Sequence, residues 1–136
     1  MSTSTVLKLD PQKRYTYADL LTWPENERWE LIDGVPYLNG VPYGDASHAV
    51  ASPNWKHQKI SVRLTRRFDE YLEDKVCEIY RAPFDVRLNI DEGDDIVVQP
   101  DLLVICNPEK IDDKGCNGAP DFVIEILSPP MPRTTQ

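Results

Sequence analysis

Two short apolar runs in the last third of the chain are the clearest feature of its hydrophobic pattern. Residues 102–105 and 122–127 are rich in Val, Ile and Leu and are bounded by Pro, Gly and Asn. Such runs predict strands that are buried on both faces of a sheet. Asp101 opens the first run and Glu125 lies inside the second. Because burying a carboxylate is costly unless a cation, a metal or a hydrogen-bond donor compensates it, we interpret the two acids as ligands of one divalent metal.

The rest of the pattern predicts a mixture of helices and strands. Thr16 is positioned to cap a short helix over residues 17–23, and Asp33-Gly34 predicts a hairpin turn. A longer helix is expected from residue 53 or 54 to about residue 73. The acidic residues 91–95 predict a turn, and they lack the ligand spacing of an EF-hand. Further strands are expected at residues 27–32, 35–38, 76–81, 84–90 and 96–98.

The long helix has one apolar stripe and one basic face. At about 100° per residue, the stripe contains His57, Ile60, Leu64, Phe68, Tyr71 and Leu72. His57 is then either a core-edge histidine or part of a functional site. The adjoining face contains Lys56, Lys59, Arg63, Arg66 and Arg67. These cations either form a solvated surface, with Arg66 paired to Glu70, or contact the phosphates of a nucleic acid through Lys56, Lys59, Arg63 and Arg67.

Composition limits the classes of protein to which the chain can belong. At 136 residues, it is long enough for one domain, which we assign to residues 15–129, with a flexible leader at 1–14 and an irregular tail at 130–136. The net charge of −8 argues against non-specific coating of nucleic acid. The sequence shows neither a signal peptide nor an apolar run of membrane-spanning length, so we expect no membrane association and a cytoplasmic location. Three cysteines without paired spacing predict reduced thiols.

Asp101 and Glu125 carry the strongest indication of chemistry. Hard oxygen ligands suit Mg²⁺ or Mn²⁺, which support phosphodiester hydrolysis. Glu30 alternates with apolar neighbours on its strand, so it is either a solvent-facing glutamate or a third acid of the site. A zinc site is a weaker alternative because its candidate ligands fit no recognised spacing. Those candidates are His48, His57, Cys106 and Cys116.

Several segments together resemble a known family. They are residues 29–34, the His57-Gln58 pair, residues 82–88, residues 98–104 and residues 118–129. In this order they resemble the Uma family of endonucleases, which belongs to the restriction-endonuclease-like PD-(D/E)xK superfamily. The resemblance covers about residues 15–129. It implies an α/β (α+β) fold in which helices flank a mixed β-sheet.

The resemblance also implies a function and a site. Asp101, in the Pro-Asp element, and Glu125 would bind Mg²⁺ (or Mn²⁺), with the backbone carbonyl of Ile126 as a further ligand. Glu30 and His57 match positions that the family places near the site, and Gln99 precedes the Pro-Asp element. The implied activity is metal-dependent endonuclease cleavage of DNA.

Two departures from the family pattern favour a different hypothesis. Leu127 occupies the position at which the superfamily has a lysine, and the sequence stops before the helix from which the family's lysine comes. We therefore expect a truncated chain or a lost lysine, for which Lys56, Lys59 or Lys114 are the candidate substitutes. An uncovered sheet edge would favour a homo-oligomer, most simply a dimer. The alternative function is a non-catalytic interaction module with a nuclease fold.

Overall fold

The computed structural model describes residues 7–44 and 54–127. Within them lie two α-helices, nine strands and two short 3-10 helices, at Ile90–Glu92 and Pro108–Lys110. The α-helices are α1 (Tyr17–Leu20) and α2 (Trp55–Leu72). The strands are β1 (Trp29–Ile32), β2 (Val35–Leu38), β3 (Val41–Pro42), β4 (Glu78–Arg81), β5 (Asp85–Arg87), β6 (Val97–Val98), β7 (Leu102–Ile105), β8 (Gly115–Asn117) and β9 (Phe122–Ile124).

The strands form two sheets. The larger sheet has the order β3-β2-β1-β6-β5-β8, and the smaller has the order β4-β7-β9. The β5–β8 pair is parallel whereas the neighbouring β5–β6 and β1–β6 pairs are antiparallel, so the larger sheet is mixed. In the smaller sheet both pairs are antiparallel. This mixed α+β architecture confirms the predicted fold class.

Aromatic side chains build the first part of the core. The rings of Tyr15 and Trp23 meet edge-on with centroids 5.4 Å apart, and Trp23 meets Trp29 in the same way at 4.8 Å. Edge-to-face pairs of this kind stabilise a core beyond the area that they bury. Leu7 and Leu9 pack against the same cluster, so this part of the expected leader contributes to the core. Trp23 follows a helix that ends at Leu20, three residues earlier than predicted, and its ring points into this cluster.

The second part of the core joins the two sheets through β7. Leu103 and Ile105 of β7 cluster with Val86 of β5 and Cys116 of β8. All four residues of β7 are buried, which confirms the prediction of a strand covered on both faces at 102–105. Because β7 is the middle strand of its sheet and packs on the larger sheet, it fixes the position of the residue that precedes it, Asp101.

The second apolar run differs from the prediction. The strand β9 ends at Ile124, and Phe122 and Val123 are 53% and 48% exposed. The expectation of a strand buried on both faces through residue 127 is therefore wrong. The reason is that, among the described residues, β9 lies at the edge of its sheet, with β7 as its partner on one side. The Phe122 ring lies 6.0 Å from that of Phe68 on α2.

The helix α2 begins and ends close to the predicted residues. The Asn54 side chain accepts a hydrogen bond from the His57 backbone N–H (2.9 Å) and caps the helix. His57, Leu64, Phe68 and Leu72 are partly buried, as predicted, but the rest of the predicted stripe is wrong, since Ile60 and Tyr71 are 45% and 69% exposed. Their inward places are taken by Ser61 and Thr65, because the helix is rotated toward the polar side of its stripe.

The prediction of reduced thiols is wrong for two of the three cysteines. Cys77 and Cys106 form a disulfide. The antiparallel register of β4 and β7 pairs Glu78 with Ile105, so the next opposing positions are the two cysteines. A sequence separation of 29 residues concealed this pairing. Cys116 is free and buried.

In the part of the chain that the structure describes, no helix is long and apolar enough to cross a membrane.

The parallel contact between β5 and β8 depends on Gly115. A Cβ atom at this position would lie 1.9 Å from the backbone carbonyl oxygen of Asp85. We expect Gly115→Ala to reduce the free energy of unfolding by about 3 kcal/mol, because two strands of the core would have to separate. Urea denaturation measures this loss.

The matched control for that substitution is Gly40→Ala. Gly40 has a positive φ of 82° but has no neighbouring atom within 4 Å of the added Cβ. Its cost should be only about 1 kcal/mol, from backbone conformation alone. Equal losses in the two variants would contradict the steric role of Gly115.

Candidate active site

The antiparallel pairing of β7 and β9 brings the two acids together. Leu102 is opposite Ile124 in this register, so Asp101 and Glu125 occupy the next opposing positions. The Ile126 backbone N–H donates a 2.7 Å hydrogen bond to Asp101 Oδ2. Asp101, Glu125 and Ile126 are thus neighbours at one end of the smaller sheet.

Asp101 is buried and is compensated by basic groups. Its Oδ1 atom lies 3.3 Å from His57 Nε2 and 3.7 Å from a terminal nitrogen of Arg28. Its other oxygen accepts the Ile126 N–H. Charge-assisted contacts and a backbone donor of this kind are what allow a carboxylate to remain in a buried position. His57 therefore faces the site from α2, and Arg28 faces it from the segment before β1.

Glu30 reaches the same region from β1. Its Oε2 atom accepts a 2.7 Å hydrogen bond from the Gln99 backbone N–H, two residues before Asp101. The Gln99 carbonyl accepts a hydrogen bond from Arg28 (2.5 Å). Glu30 and Arg28 therefore hold the backbone N–H and the backbone carbonyl of Gln99, immediately before the Pro-Asp element.

A buried polar network supports the site from below. Gln99 Nε2 donates to Asp85 Oδ1 (2.7 Å), and the Tyr17 hydroxyl donates to Asp85 Oδ2 (2.9 Å). Burial, followed by the Asp85 charge, raises the pKa of the Tyr17 hydroxyl, which keeps the donor protonated. Among the described residues, Gln99 Oε1 and Arg28 Nε are buried and have no hydrogen-bond partner. The buried network therefore contains one acceptor and one donor that could each make a further hydrogen bond.

The sequence analysis missed three of these residues. Arg28 and Tyr17 had no distinguishing signal, because arginine before a strand and tyrosine in a short helix are common. Asp85 did have a distinguishing signal, since it lies between Phe84 and Val86 in a predicted strand. A carboxylate between two apolar strand residues needs a partner.

A cleft of about 390 Å³ opens beside Asp101. Clefts of this size accommodate small ligands or single groups of larger ones. It contains basic and acidic side chains together, so its electrostatic character depends on the ions that it holds. Its walls are formed by Glu25, Asn26, Glu27, Arg28, His57, Gln58, Ser61, Arg81, Ala82, Pro83, Gln99 and Asp101.

Glu125 is exposed, which differs from the expectation of a buried acid. Partial burial raises the pKa of its carboxyl group, and the charges of Asp101 and Glu30 raise it further. Arg28 acts in the opposite direction. The carboxylates of Glu30, Asp101 and Glu125 are thus close enough to repel one another, and Arg28 compensates only part of this repulsion.

We call Glu30, Asp101 and Glu125 the acid set. Their carboxylates fit a hard divalent cation, although their geometry in this structure is not that of a complete metal site. Oxygen donors with surplus negative charge suit Mg²⁺ or Mn²⁺. Within residues 7–44 and 54–127, however, no three His, Cys, Asp or Glu side chains converge on a common point at which an ion could sit. Asp101 and Glu30 are engaged by hydrogen-bond donors instead.

None of the lysines suggested as substitutes contacts Asp101. The Lys114 amine lies 3.5 Å from Glu25, and the Lys56 amine lies 5.7 Å from the centre of the Trp55 ring. Lys59 is exposed on α2. Leu127, at the position of the superfamily lysine, is 89% exposed. Among the lysines and arginines that the structure describes, Arg28 is the one that lies beside Asp101.

The structure does not bring the candidate zinc ligands that it describes together. Cys106 is in a disulfide, and His57 contacts Asp101. Cys116 is buried in the core between the sheets. His48 lies outside the described residues.

The basic residues of α2 are exposed and lie outside the acid set. Lys56, Lys59, Arg63 and Arg67 are all exposed, whereas His57 faces Asp101. Arg66 forms the expected helical pair with Glu70, with a distance of 3.1 Å. The same helix therefore presents a site residue on one side and cations on the other.

Comparison with known proteins identifies the family of the chain. The model of the Uma2 family, described as “Putative restriction endonuclease”, matches residues 17–131. The chain belongs to the Uma2 family. An uncharacterized protein of Synechocystis sp., slr1290, is 31% identical over 124 residues, which are 90% of this chain. The chain spans about half the length (55%) of this curated relative.

The raised pKa of Glu125 in this Uma2 chain generates a pH prediction. The ionised form is disfavoured in the folded state, so the wild type should lose stability as pH rises from below the ordinary value of 4.5 through the raised folded pKa. The Glu125→Gln variant should not show this loss of stability, because glutamine does not ionise. We expect the variant to match the wild type at low pH and to exceed it by roughly a few tenths of a kcal/mol at neutral pH, since solvent screens the exposed group.

Urea unfolding of both proteins in EDTA, from acid to neutral pH, measures this difference. Glu109→Gln is the control, because Glu109 is an exposed acid on a 3-10 helix outside the site. A stability gain for Glu125→Gln that is constant across the pH range would contradict the repulsion between these acids.

Proposed function

We propose that this chain is a Mg²⁺-dependent endonuclease domain that hydrolyses phosphodiester bonds in DNA, with Mn²⁺ as an alternative ion. Membership of the Uma2 family supports nuclease function and a DNA substrate. The observation that carries the proposal is the opposition of Asp101 and Glu125 at the neighbouring ends of the adjacent strands β7 and β9, with Asp101 in the wall of a cleft. Asp101 and Glu125 would hold the ion, together with the Ile126 carbonyl.

The residues around this pair have separate roles in the proposal. A bound divalent ion lowers the pKa of a water molecule and stabilises the charge that develops on phosphate. Glu30, through the Gln99 N–H, holds the backbone that presents Asp101. His57 orients the Asp101 carboxylate from α2 and is placed to carry a proton at its imidazole. Arg28 provides a positive charge that remains beside Asp101 and is available to an anionic substrate.

The cations of α2 support a second part of the proposal, which is contact with the DNA backbone. Lys56, Lys59, Arg63 and Arg67 are exposed and would each neutralise a phosphate without reading the base sequence. Their local positive charge contrasts with the net charge of −8 of the chain. DNA approach would therefore depend on this helix more than on the surface as a whole.

A second candidate function is favoured by Leu127. A nuclease-fold module without the superfamily lysine would keep the acids and lose catalysis, and the exposed Leu127 occupies that lysine's position. The exposed residues Phe122 and Val123 on the edge strand β9 support association with a partner, and a second copy of the chain is the simplest one. Both the endonuclease and the non-catalytic module are expected to bind a metal ion, but only the endonuclease is expected to cleave DNA.

Calorimetric titration with Mg²⁺ and Mn²⁺ tests the site. We expect the wild type to bind, and Asp101→Asn and Glu125→Gln each to weaken binding at least tenfold, because each removes one of two anionic ligands. Plasmid nicking with each ion should be seen for the wild type and lost in both variants. The control is Glu109→Gln, which removes the same charge outside the site.

The outcomes of these two assays separate the candidates. Metal binding without nicking would support the non-catalytic module. Metal affinity that is unchanged in both site variants would remove the basis of the proposed metal site.

The salt dependence of DNA binding tests the basic residues. We expect Lys59→Glu and Arg63→Glu each to weaken binding and to reduce the slope of log affinity against log salt by about one, because one phosphate contact is lost. Fluorescence anisotropy with labelled DNA at several salt concentrations measures the slope. Lys75→Glu makes the same change in net charge beyond the end of α2, where Lys75 lies over the Tyr71 ring. A slope equally reduced by the control would point to net charge alone.

A further inference from the structure

The face of α2 that points away from the sheet combines cations with an exposed aromatic ring. We call Trp55, Lys59, Val62, Arg63 and Arg66 the outer stripe, because helical spacing places them on one face. All five are exposed. His57 occupies the opposite side and contacts Asp101, so the outer stripe is separate from the cleft. The proposed function does not account for its aromatic member.

Trp55 differs from the other two tryptophans. Its side chain is 70% exposed, whereas Trp23 and Trp29 are 6% and 2% exposed within the aromatic core. The Lys56 amine lies 5.7 Å from the centre of its ring. Because the Trp55 side chain remains open to solvent, it contributes little to the hydrophobic stabilisation of the fold. Exposed aromatic side chains are characteristic of binding surfaces.

The charge around Trp55 indicates the kind of ligand. Residues 54–68 contain five lysines and arginines and no acid, in a chain whose net charge is −8. Such a segment is complementary to a polyanion. A membrane surface is less suitable, because a helix lying in a membrane interface needs a continuous apolar face. In α2 the apolar residues Leu64, Phe68 and Leu72 are partly buried against the protein, and the outer stripe has only Trp55 and Val62 as apolar members.

We propose that the outer stripe binds DNA with unpaired bases, with Lys59 and Arg63 following the backbone and Trp55 stacking on one base. The proposal rests on the proposed DNA substrate and specifies its form. Stacking on an aromatic ring requires access to the face of a base, which a duplex conceals and a single strand or a frayed end exposes. Cations along a helix neutralise phosphates in either form, without a preference for the single strand. Trp55 is therefore the residue that makes the surface prefer unpaired DNA.

Tryptophan fluorescence provides a direct test. Adding a short poly-thymidine oligonucleotide in EDTA should quench the emission of solvent-exposed Trp55, because a stacked base is in contact with its ring. Fluorescence anisotropy with labelled DNA then gives affinities for this strand and for a duplex of equal length. We expect Trp55→Ala to weaken single-strand binding on the order of tenfold and duplex binding less than about twofold.

Tyr71→Ala is the matched control. Tyr71 is also an exposed aromatic residue of α2, at 69%, but it lies at the end that contains Asp69 and Glu70. Its removal should leave single-strand affinity unchanged, and Trp55→Phe should retain part of the binding. Equal effects of Trp55→Ala on single strand and duplex, or an absence of quenching, would overturn the proposal. So would binding to vesicles of phosphatidylcholine and phosphatidylserine in equal parts with no binding to DNA.

The test is independent of the metal site. Because it uses EDTA and measures no cleavage, a failure of Mg²⁺ binding at Asp101 leaves its outcome unaffected. Conversely, a chain that nicks plasmid but shows no preference for unpaired DNA would retain the proposed function and lose this inference.

Discussion

The arrangement of the site depends on the burial of one carboxylate, Asp101. It stands immediately before β7, the most buried strand of the smaller sheet, where an unpaired charge would be strongly unfavourable. The structure compensates it from three directions, through His57 on α2, Arg28 before β1, and the Ile126 N–H beyond β9. Removing any one of these groups leaves a buried charge less compensated. The requirement to satisfy this carboxylate thus connects α2, both sheets and the segment that follows β9.

Gln99 extends this constraint into the core. Its backbone N–H binds Glu30, its carbonyl accepts from Arg28, and its side chain donates to Asp85. One residue therefore links the acid of β1, the arginine beside Asp101 and the buried carboxylate of β5. Asp85 is in turn adjacent to Gly115, whose missing Cβ permits the close approach of β5 and β8. The packing of two strands and the position of the candidate site are consequently parts of one structure.

The sequence predicted those features that local pattern determines. The run at 102–105, the Asp33-Gly34 hairpin and the extent of α2 follow from hydrophobic period, turn residues and capping. Partners that are distant in sequence were harder to predict. The disulfide joins residues 29 positions apart, and Arg28 meets Asp101 only because β1 and β7 belong to sheets that pack together. The burial of β9 was overestimated because an apolar run does not reveal whether its strand lies at a sheet edge.

The two sides of α2 give the helix two different functions in this interpretation. The side with His57, Leu64 and Phe68 is held by packing and by Asp101, which fixes the rotation of the helix. Once that rotation is fixed, Trp55 and Lys59 must face solvent, whatever their affinity for a ligand. A basic face that pointed into the cleft would have brought cations to the acids and competed with a metal ion for them. Since the cations point outward, a negatively charged strand can be attracted to the helix while the acids beside Asp101 keep their surplus negative charge.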